Sequence, residues 1–479
     1  MGGCCPPERN AFDLIVVGAG SAGFSAAITA ADSGARVLIA GHGTIGGTCV
    51  NVGCVPSKYL IRAAEAVHGA GAADRFPGLA GSARLSSWRV LKASKDALVA
   101  DLREKKYVDL LPQYENISYI EGRAGLIEGG IQVEGETYRA PRTLIATGSS
   151  PVVPDIPGIE KVSVLNSTDA FELDALPSSL LVIGGGYIGC ELAQMFSRLG
   201  SAVTLVTRSR LLPEAEAEIS EALANSFIAE GIKIVTGVTY RAVTSTYSVT
   251  SMSDGVRLEV ECEGLRFSLD ARHLLVTAGR KPNSDGLALE DVGVQRDGNG
   301  RIVVDDEMRT TNPGIYAAGD VTGRDQFVYM AAYGAKIAAR NALGINPSRY
   351  DNSTMPWVVF SDPQIAGVGL SERDAKNRGL EVKTSIAPLD QVPRALAARD
   401  TRGLIKLVAD ARTDKLLGAQ IMAPEGADSI QTMALALKFG MTARELGDTI
   451  FPYLTTVEGL KLAAQGFEKD VAKLSCCAG

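Results

Sequence analysis

The sequence predicts an α/β protein with two dinucleotide-binding units of Rossmann type, followed by a separate α+β domain. Three observations carry that expectation. A glycine-rich turn between an apolar run and a helical stretch occurs at Gly18-Ala19-Gly20-Ser21-Ala22-Gly23. It recurs at Gly184-Gly185-Gly186-Tyr187-Ile188-Gly189. The chain, 479 residues long, has room for about three domains of roughly 150 residues each.

The first unit opens with the strand-like Phe12-Asp13-Leu14-Ile15-Val16-Val17 and continues as an Ala-rich helix to Asp32. The apolar run Ala35-Arg36-Val37-Leu38-Ile39 returns as a parallel strand. Glycines in the turn let backbone approach a pyrophosphate, and the helix N-terminus presents free N–H groups to it. A charged helical region covers about 86–111, then strand-like hairpins lead to Thr143-Leu144-Ile145-Ala146-Thr147-Gly148. The segment Pro151–Pro157 reads as a linker. The second unit repeats the pattern with Ser179-Leu180-Leu181-Val182-Ile183, a helix to Leu199 and the strand Ala202-Val203-Thr204-Leu205-Val206. Residues 243–276 alternate like antiparallel strands, and Gly314-Ile315-Tyr316-Ala317-Ala318-Gly319-Asp320 reads as a buried strand ending in a carboxylate. The division expected is a short cysteine-containing tail at 1–10, a first nucleotide domain at 11–150, a second at 151–280, a return to the first at 281–350, a third domain at 351–470 and a tail at 471–479.

Composition narrows the function. The net charge is -7 and no basic stretch is present, which disfavours nucleic acid and anionic membrane as partners. Residues 1–10 hold no apolar core of a signal peptide, and no later stretch reaches ~18 apolar residues. A cytoplasmic protein is expected, in which close cysteine pairs are catalytic or metal-binding rather than structural.

Cys49 and Cys54 form such a pair, in Gly46-Gly47-Thr48-Cys49-Val50-Asn51-Val52-Gly53-Cys54-Val55-Pro56-Ser57-Lys58. A helical turn would bring the sulfurs together, and a helix N-terminus with Lys58 one turn later would favour thiolate. A zinc half-site or two core cysteines are the alternatives; no second ligand pair lies nearby and the three histidines, His42, His68 and His273, are scattered. After the second unit's strand come Thr207-Arg208-Ser209-Arg210. Arginines there suit a ribose 2′-phosphate, so NADPH is favoured over NADH. The corresponding position of the first unit, Ile39-Ala40-Gly41-His42-Gly43, lacks the Asp or Glu that should hold an adenosine ribose.

The string GGTCVNVGCVPSK, the loops GAGSAG and GGGYIG, ATG at 146–148 and AAGD at 317–320 resemble pyridine nucleotide–disulfide oxidoreductases of the glutathione-reductase-like class, over nearly the whole chain. The resemblance implies FAD in the first unit, with Gly18, Gly20, Gly23, Thr48, Ala146, Thr147, Gly148, Gly319 and Asp320 at the cofactor and Asp320 on the ribityl chain. It implies a nicotinamide dinucleotide at Gly184, Gly186, Gly189, Arg208, Arg210 and Gly279, with Tyr187 as a lid where nicotinamide docks. It further implies a Lys58–Glu191 pair near flavin N5 and a homodimer held by the third domain.

Family members that act on organic disulfides carry a His–Pro followed by a glutamate near the C-terminus, the histidine moving a proton to the departing thiolate. Here the segment is Phe451-Pro452-Tyr453-Leu454-Thr455-Thr456-Val457-Glu458. A phenol with a reference pKa near ~10 is a poor proton shuttle at neutral pH. The closing stretch, ending Ser475-Cys476-Cys477-Ala478-Gly479, is similar to the mercury-reducing branch of the family. That similarity implies Hg(II), a soft ion suited to thiolates, as substrate. Cys476 and Cys477 of one subunit would pass it to Cys49 and Cys54 of the other, with Tyr453 and Tyr107 lining the site. Many relatives carry an N-terminal metal-carrier domain; this chain begins too late to contain one, and Cys4-Cys5 either replaces it or has no role. The competing readings are a disulfide reductase of the same fold and a thiol protein that buffers metal without turnover.

Overall fold

A computed structural model describes residues 11–248, 253–470 and 473. The chain forms two compact units. One holds the described residues up to Ser57 with Val90–Val152 and Gly279–Asn352; the other holds Lys58–Arg89, Val153–Ala278 and the residues from Ser353 on.

The early elements are β1 (Leu14–Val17), α1 (Ser21–Ala31), β2 (Val37–Gly41), α2 (Gly47–Asn51), α3 (Cys54–Gly71), α4 (Trp88–Arg103) and β3 (Ile117–Glu121). A five-stranded parallel sheet runs in the order Ile315–Ala317, Thr143–Ile145, β1, β2, β3. All four residues of β1 are buried, as a parallel sheet covered on both faces requires. Leu14 and Val16 pack with α1 and the helix Val328–Leu343. Ile15 and Val17 pack instead with Leu126, Ile131 and Val133 of an antiparallel three-stranded sheet. The period-two alternation of side chains thus builds one core on each face.

The other unit contains a second five-stranded parallel sheet, in the order Lys233–Val235, Ala202–Val206, Ser179–Ile183, His273–Val276, Val164–Leu165. Here one expectation is corrected. Thr239–Ser248, Ser253–Cys262 and Leu265–Ala271 are antiparallel, but His273–Val276 joins the parallel sheet beside Ser179–Ile183. Its Leu274, Leu275 and Val276 are all buried, and continuous burial, not alternation, marks a central parallel strand. Pro151 also differs from a plain linker, since Ser149–Pro151 pairs antiparallel with Arg280–Pro282 in the first unit.

From Pro356 the chain builds a five-stranded antiparallel sheet, ordered Pro356–Val359, Gln364–Gly369, Leu416–Ala423, Leu404–Asp410, Val382–Pro388. Ile430 and Met433 of the helix Gly426–Lys438 pack on this sheet against Ala366 and Ile421. Among the described residues no helix is long and apolar enough to cross a membrane.

Candidate functional site

The first glycine loop is built to approach a ligand by backbone alone. Gly18 has φ +120°, and a Cβ there would lie 2.3 Å from the Ala146 carbonyl oxygen. A Cβ on Gly23 would lie 1.9 Å from the Gly18 carbonyl oxygen. No side chain caps the N-terminus of α1 at Gly20, so its first N–H groups face outward, a cradle for a phosphate.

Three other sequence-predicted segments of this unit converge on that cradle. Gly47 packs so closely on Gly20 that a Cβ would fall 2.7 Å from its Cα, which sets the cysteine turn against the glycine loop. Gly319, at φ +76°, packs on Ala22 of α1 and on Ala331, which brings Asp320 beside the first turn of that helix. Ala146 and Thr147 lie beside Gly18, and Thr147 and Asn283 exchange hydrogen bonds of 2.7 and 2.9 Å. These residues fit FAD: a side-chain-free cradle for its pyrophosphate, and a carboxylate placed for its hydroxyls.

Asp320 is held by residues that sequence reasoning did not select. The Ser149 hydroxyl donates to its Oδ2 at 2.6 Å. Arg280 Nε donates to Ser149 Oγ at 2.8 Å, and Arg280 Nη2 to the Ser149 carbonyl at 2.6 Å. Burial pushes the Arg280 guanidinium down, and Asp320 and then Cys54 pull it back up. Nothing in the sequence around Arg280 shows the strand pairing that places it on Ser149.

Cys49 lies within α2, half-buried, and Cys54 is the exposed first residue of α3. The expected helical turn is therefore two helices joined at Val52-Gly53, the second presenting its N-terminus at Cys54. Asn51, between the cysteines, donates to the carbonyls of Ile45 and Gly47, both at 2.9 Å, and accepts from Arg103 at 3.3 Å. Arg103 ends α4, and a turn of π-helix, Glu104–Val108, follows it; such turns are rare and frequent at functional sites. That turn lays the Tyr107 ring on Gly46, 3.1 Å from where a Cβ would stand, and edge-on to Phe24. The phenol oxygen lies 3.5 Å from Ser21 Oγ. Burial is the main cause raising Tyr107, with Cys49 and Cys54 adding to it against the Ser21 hydrogen bond, so the phenol is neutral at pH 7. Thr48 is exposed on the same turn.

In the second unit the glycine geometry repeats. Gly184 has φ +114°, with a Cβ position 2.7 Å from the Thr277 carbonyl oxygen, and a Cβ on Gly189 would lie 1.8 Å from the Gly184 carbonyl oxygen. Gly186 precedes the helix Tyr187–Leu199 without a side-chain cap. The Tyr187 ring lies 5.6 Å from Trp357, and burial raises its phenol. Lys58 Nζ lies 2.7 Å from Glu191 Oε2 and 4.8 Å above the Phe360 ring. The other Glu191 oxygen accepts the Phe360 N–H at 2.9 Å. Cys190, fully buried, has its thiol pushed up by burial, which makes it an inert core group.

The two arginines differ. Arg208 is exposed, whereas Arg210 Nη2 donates to the carbonyls of Pro213 and Ala215 in its own loop. Arg208→Ala is therefore expected to raise the KM for NADPH about tenfold or more, the loss of a charged hydrogen bond, and to leave the KM for NADH nearly unchanged. Arg210→Ala is expected to change both alike, through the loop. Steady-state kinetics with the two reductants checks this.

Tyr453 is half-exposed, at 48%. Its loop is pinned by Glu458, whose Oε2 accepts the N–H of Leu454 at 3.0 Å. Leu454 itself has φ +62°. The glutamate that would orient a histidine base thus binds backbone. Ile450 and Phe439 are 94% and 78% exposed in the same part of the chain, apolar surface of the sort that subunit interfaces cover. Cys476, Cys477, Cys4 and Cys5 lie outside the described residues. Among the described residues no group of three or more His, Cys, Asp or Glu could hold a metal ion.

The pyridine nucleotide-disulphide oxidoreductase family model matches residues 12–337, and that family's dimerisation domain matches residues 355–464. A mercuric reductase of Staphylococcus aureus is 47% identical over 98% of this chain and 84% of its own length. One from Streptomyces lividans is 45% identical over 98% of this chain and 99% of its own. Among solved structures, the Cu(II) complex of the HOCl-induced flavoprotein disulfide reductase RclA from Escherichia coli is 29% identical. It matches with a TM-score of 0.83 over 95% of this chain and 99% of that one.

Proposed function

We propose that this chain, which belongs to the pyridine nucleotide-disulphide oxidoreductase family, is a mercury(II) reductase that uses FAD and NADPH to convert Hg(II) to Hg(0). The observation that carries the reading is the pairing of Cys49 and Cys54 with tyrosine, at position 453, where a disulfide reductase needs a histidine. Reduction of an organic disulfide must protonate a leaving thiolate. Reduction of Hg(II) consumes two electrons and needs no such proton.

Bound FAD would supply the two-electron relay between NADPH and the metal site. The residues around it do the rest. Gly18, Gly20 and Gly23 admit its pyrophosphate to the start of α1, and Asp320, fixed by Ser149 and Arg280, takes a ribityl hydroxyl. Gly184, Gly186 and Gly189 admit the NADPH pyrophosphate, and Arg208 takes the 2′-phosphate. Tyr187 covers the place where nicotinamide docks. By the family resemblance, Lys58, with its charge balanced by Glu191, would supply a fixed cation to the flavin. Cys49 and Cys54 hold the soft metal as thiolates, and the neutral Tyr107 phenol stands by them without competing as a base.

The family's dimerisation domain at residues 355–464 supports a homodimer. In this reading each site is shared: Cys476 and Cys477 of one subunit capture thiol-bound Hg(II) and hand it by ligand exchange to Cys49 and Cys54 of the other, with Tyr453 lining the route. The enzyme works in the cytoplasm, where NADPH and reduced thiols are kept. Cys476→Ala with Cys477→Ala is expected to cut turnover of bulky thiol–mercury complexes about tenfold or more, since transfer by exchange needs a free thiolate to attack; unchanged rates remove the tail from the route.

Anaerobic titration with NADPH and Hg(II), reading flavin absorbance and Hg(0) vapour together, tests the function. One Hg(0) per NADPH is expected, with little oxidation of NADPH by glutathione disulfide or lipoamide. Fast turnover of those disulfides with none of mercuric salt would assign the chain to the disulfide reductases instead.

A further inference from the structure

β2 ends without the carboxylate that an adenosine ribose requires. Ala40 and Gly41 are buried, and His42 and Gly43 are exposed beyond the strand. The space beside Gly41 is nevertheless filled. β3 runs parallel to β2, with Ile39 opposite Tyr119 and Gly41 opposite Glu121. The Tyr119 side chain lies across the end of β2: a Cβ on Gly41 would fall 2.7 Å from its Oη and 2.8 Å from its Cε2. The same Cβ would fall 2.8 Å from the Cβ of Ala19, which stands between Gly18 and Gly20 of the glycine loop. The phenol oxygen thus sits where the end of β2 meets the mouth of the loop, within reach of what a β2 carboxylate would have touched. Burial, and to a lesser degree Glu121, raises the phenol, which leaves a neutral O–H that can donate one hydrogen bond and accept another.

We propose that the Tyr119 hydroxyl is this chain's contact to the adenosine ribose of FAD, standing in from the neighbouring strand for the carboxylate missing at Gly41. The inference rests on the first glycine loop holding FAD. An acid at 41 would require the phenol to move, because a Cβ there would lie 2.7 Å from its Oη. A neutral hydroxyl also binds a diol less strongly than a carboxylate does, so the adenosine end is held by less charge than in relatives with the acid.

The test is FAD binding to deflavinated enzyme, followed by flavin fluorescence. Tyr119→Phe keeps the ring and removes only the hydroxyl; FAD is expected to bind about tenfold more weakly, the effect of one hydrogen bond. The penalty should vanish for an FAD analogue lacking the 2′- and 3′-hydroxyls of the adenosine ribose, closing a double-mutant cycle between protein and ligand. Gly41→Glu is expected to weaken FAD, since its Cβ would meet both the Tyr119 phenol and the Ala19 methyl. Glu121→Gln should leave affinity unchanged. An unaltered FAD affinity in Tyr119→Phe, a penalty that persists with the dideoxy analogue, or a loss confined to Glu121→Gln overturns the proposal. Protein that purifies without flavin and binds none would instead defeat the FAD assignment itself.

Discussion

Cys49→Ser and Cys54→Ser each abolish release of Hg(0), by about three orders of magnitude or more, while flavin content stays normal. Serine keeps the size of cysteine but offers a hard, protonated oxygen to a soft cation. Linear thiolate–Hg–thiolate binding needs both sulfurs, so either loss removes the bound state from which electrons are delivered. Three orders of magnitude corresponds to about 4 kcal/mol of barrier. The turn should survive the change, because its shape is set by Gly46 and Gly47 at positive φ and by the Asn51 hydrogen bonds, not by the sulfurs. Vapour-phase mercury detection with NADPH supplied in excess measures the loss. NADPH oxidation by an artificial acceptor that takes electrons directly from flavin serves as the control and should continue. A serine variant that still releases Hg(0) at a rate near that of the parent would place reduction elsewhere in the chain.

Much of this was legible in the sequence because it is written in local chemistry. The two glycine loops, the cysteine turn, Asp320 after its strand and the change of pattern near residue 351 each announce themselves within about ten residues, and the resemblance joins them into one family. What was not legible depends on pairing between distant segments. Ser149 and Arg280 meet through a two-stranded ladder formed by residues 131 positions apart. Tyr119 reaches Gly41 because β3 lies beside β2, a fact of sheet order and not of spacing. His273–Val276 reads with the antiparallel strands before it because a four-residue segment with three apolar residues carries too little pattern to choose a sheet. Arg208 and Arg210 looked equivalent; only the loop's fold shows that one is spent on carbonyls and the other is exposed.

Lys406→Met is expected to destabilise the C-terminal part of the second unit by about 3–5 kcal/mol, the usual cost of leaving buried charge without its partner. Lys406 lies on the strand Leu404–Asp410 with its side chain 2% exposed, an unusual place for lysine. Its Nζ contacts Glu216 at 3.0 Å, Glu218 at 2.9 Å and Glu372 at 2.8 Å. Two further bonds lock Glu216 in place: its N–H donates to Gln420 at 2.7 Å, and its Oε1 accepts the Glu372 N–H at 2.6 Å. One cation thus ties the start of the helix Ala217–Ala229 to its own strand and to the helix Glu372–Asn377, and its loss leaves three carboxylates facing each other. The pH dependence follows from the directions of the shifts. Lys406 is raised, by hydrogen bonds to Glu372, Glu218 and Glu216 that outweigh burial. Its contribution is therefore complete below the unfolded value of about 10.4 and lost only as pH climbs through the folded one. Glu372 is lowered by Lys376 and then Lys406, and Glu218, against burial, by Lys406, so their contribution is complete above about 4.3 and lost as pH falls through their folded values. The gap between Lys406→Met and the parent, read from urea midpoints by circular dichroism, should be widest near neutrality and shrink below about pH 4, where protonated carboxyls no longer repel. Adding Glu216→Gln, Glu218→Gln and Glu372→Gln to Lys406→Met should recover most of the loss, since the cost lies in unpaired charge rather than in the absence of the pair. A Lys406→Met protein within about 1 kcal/mol of the parent at pH 7, the worth of an exposed ion pair, would show that water already screens the cluster.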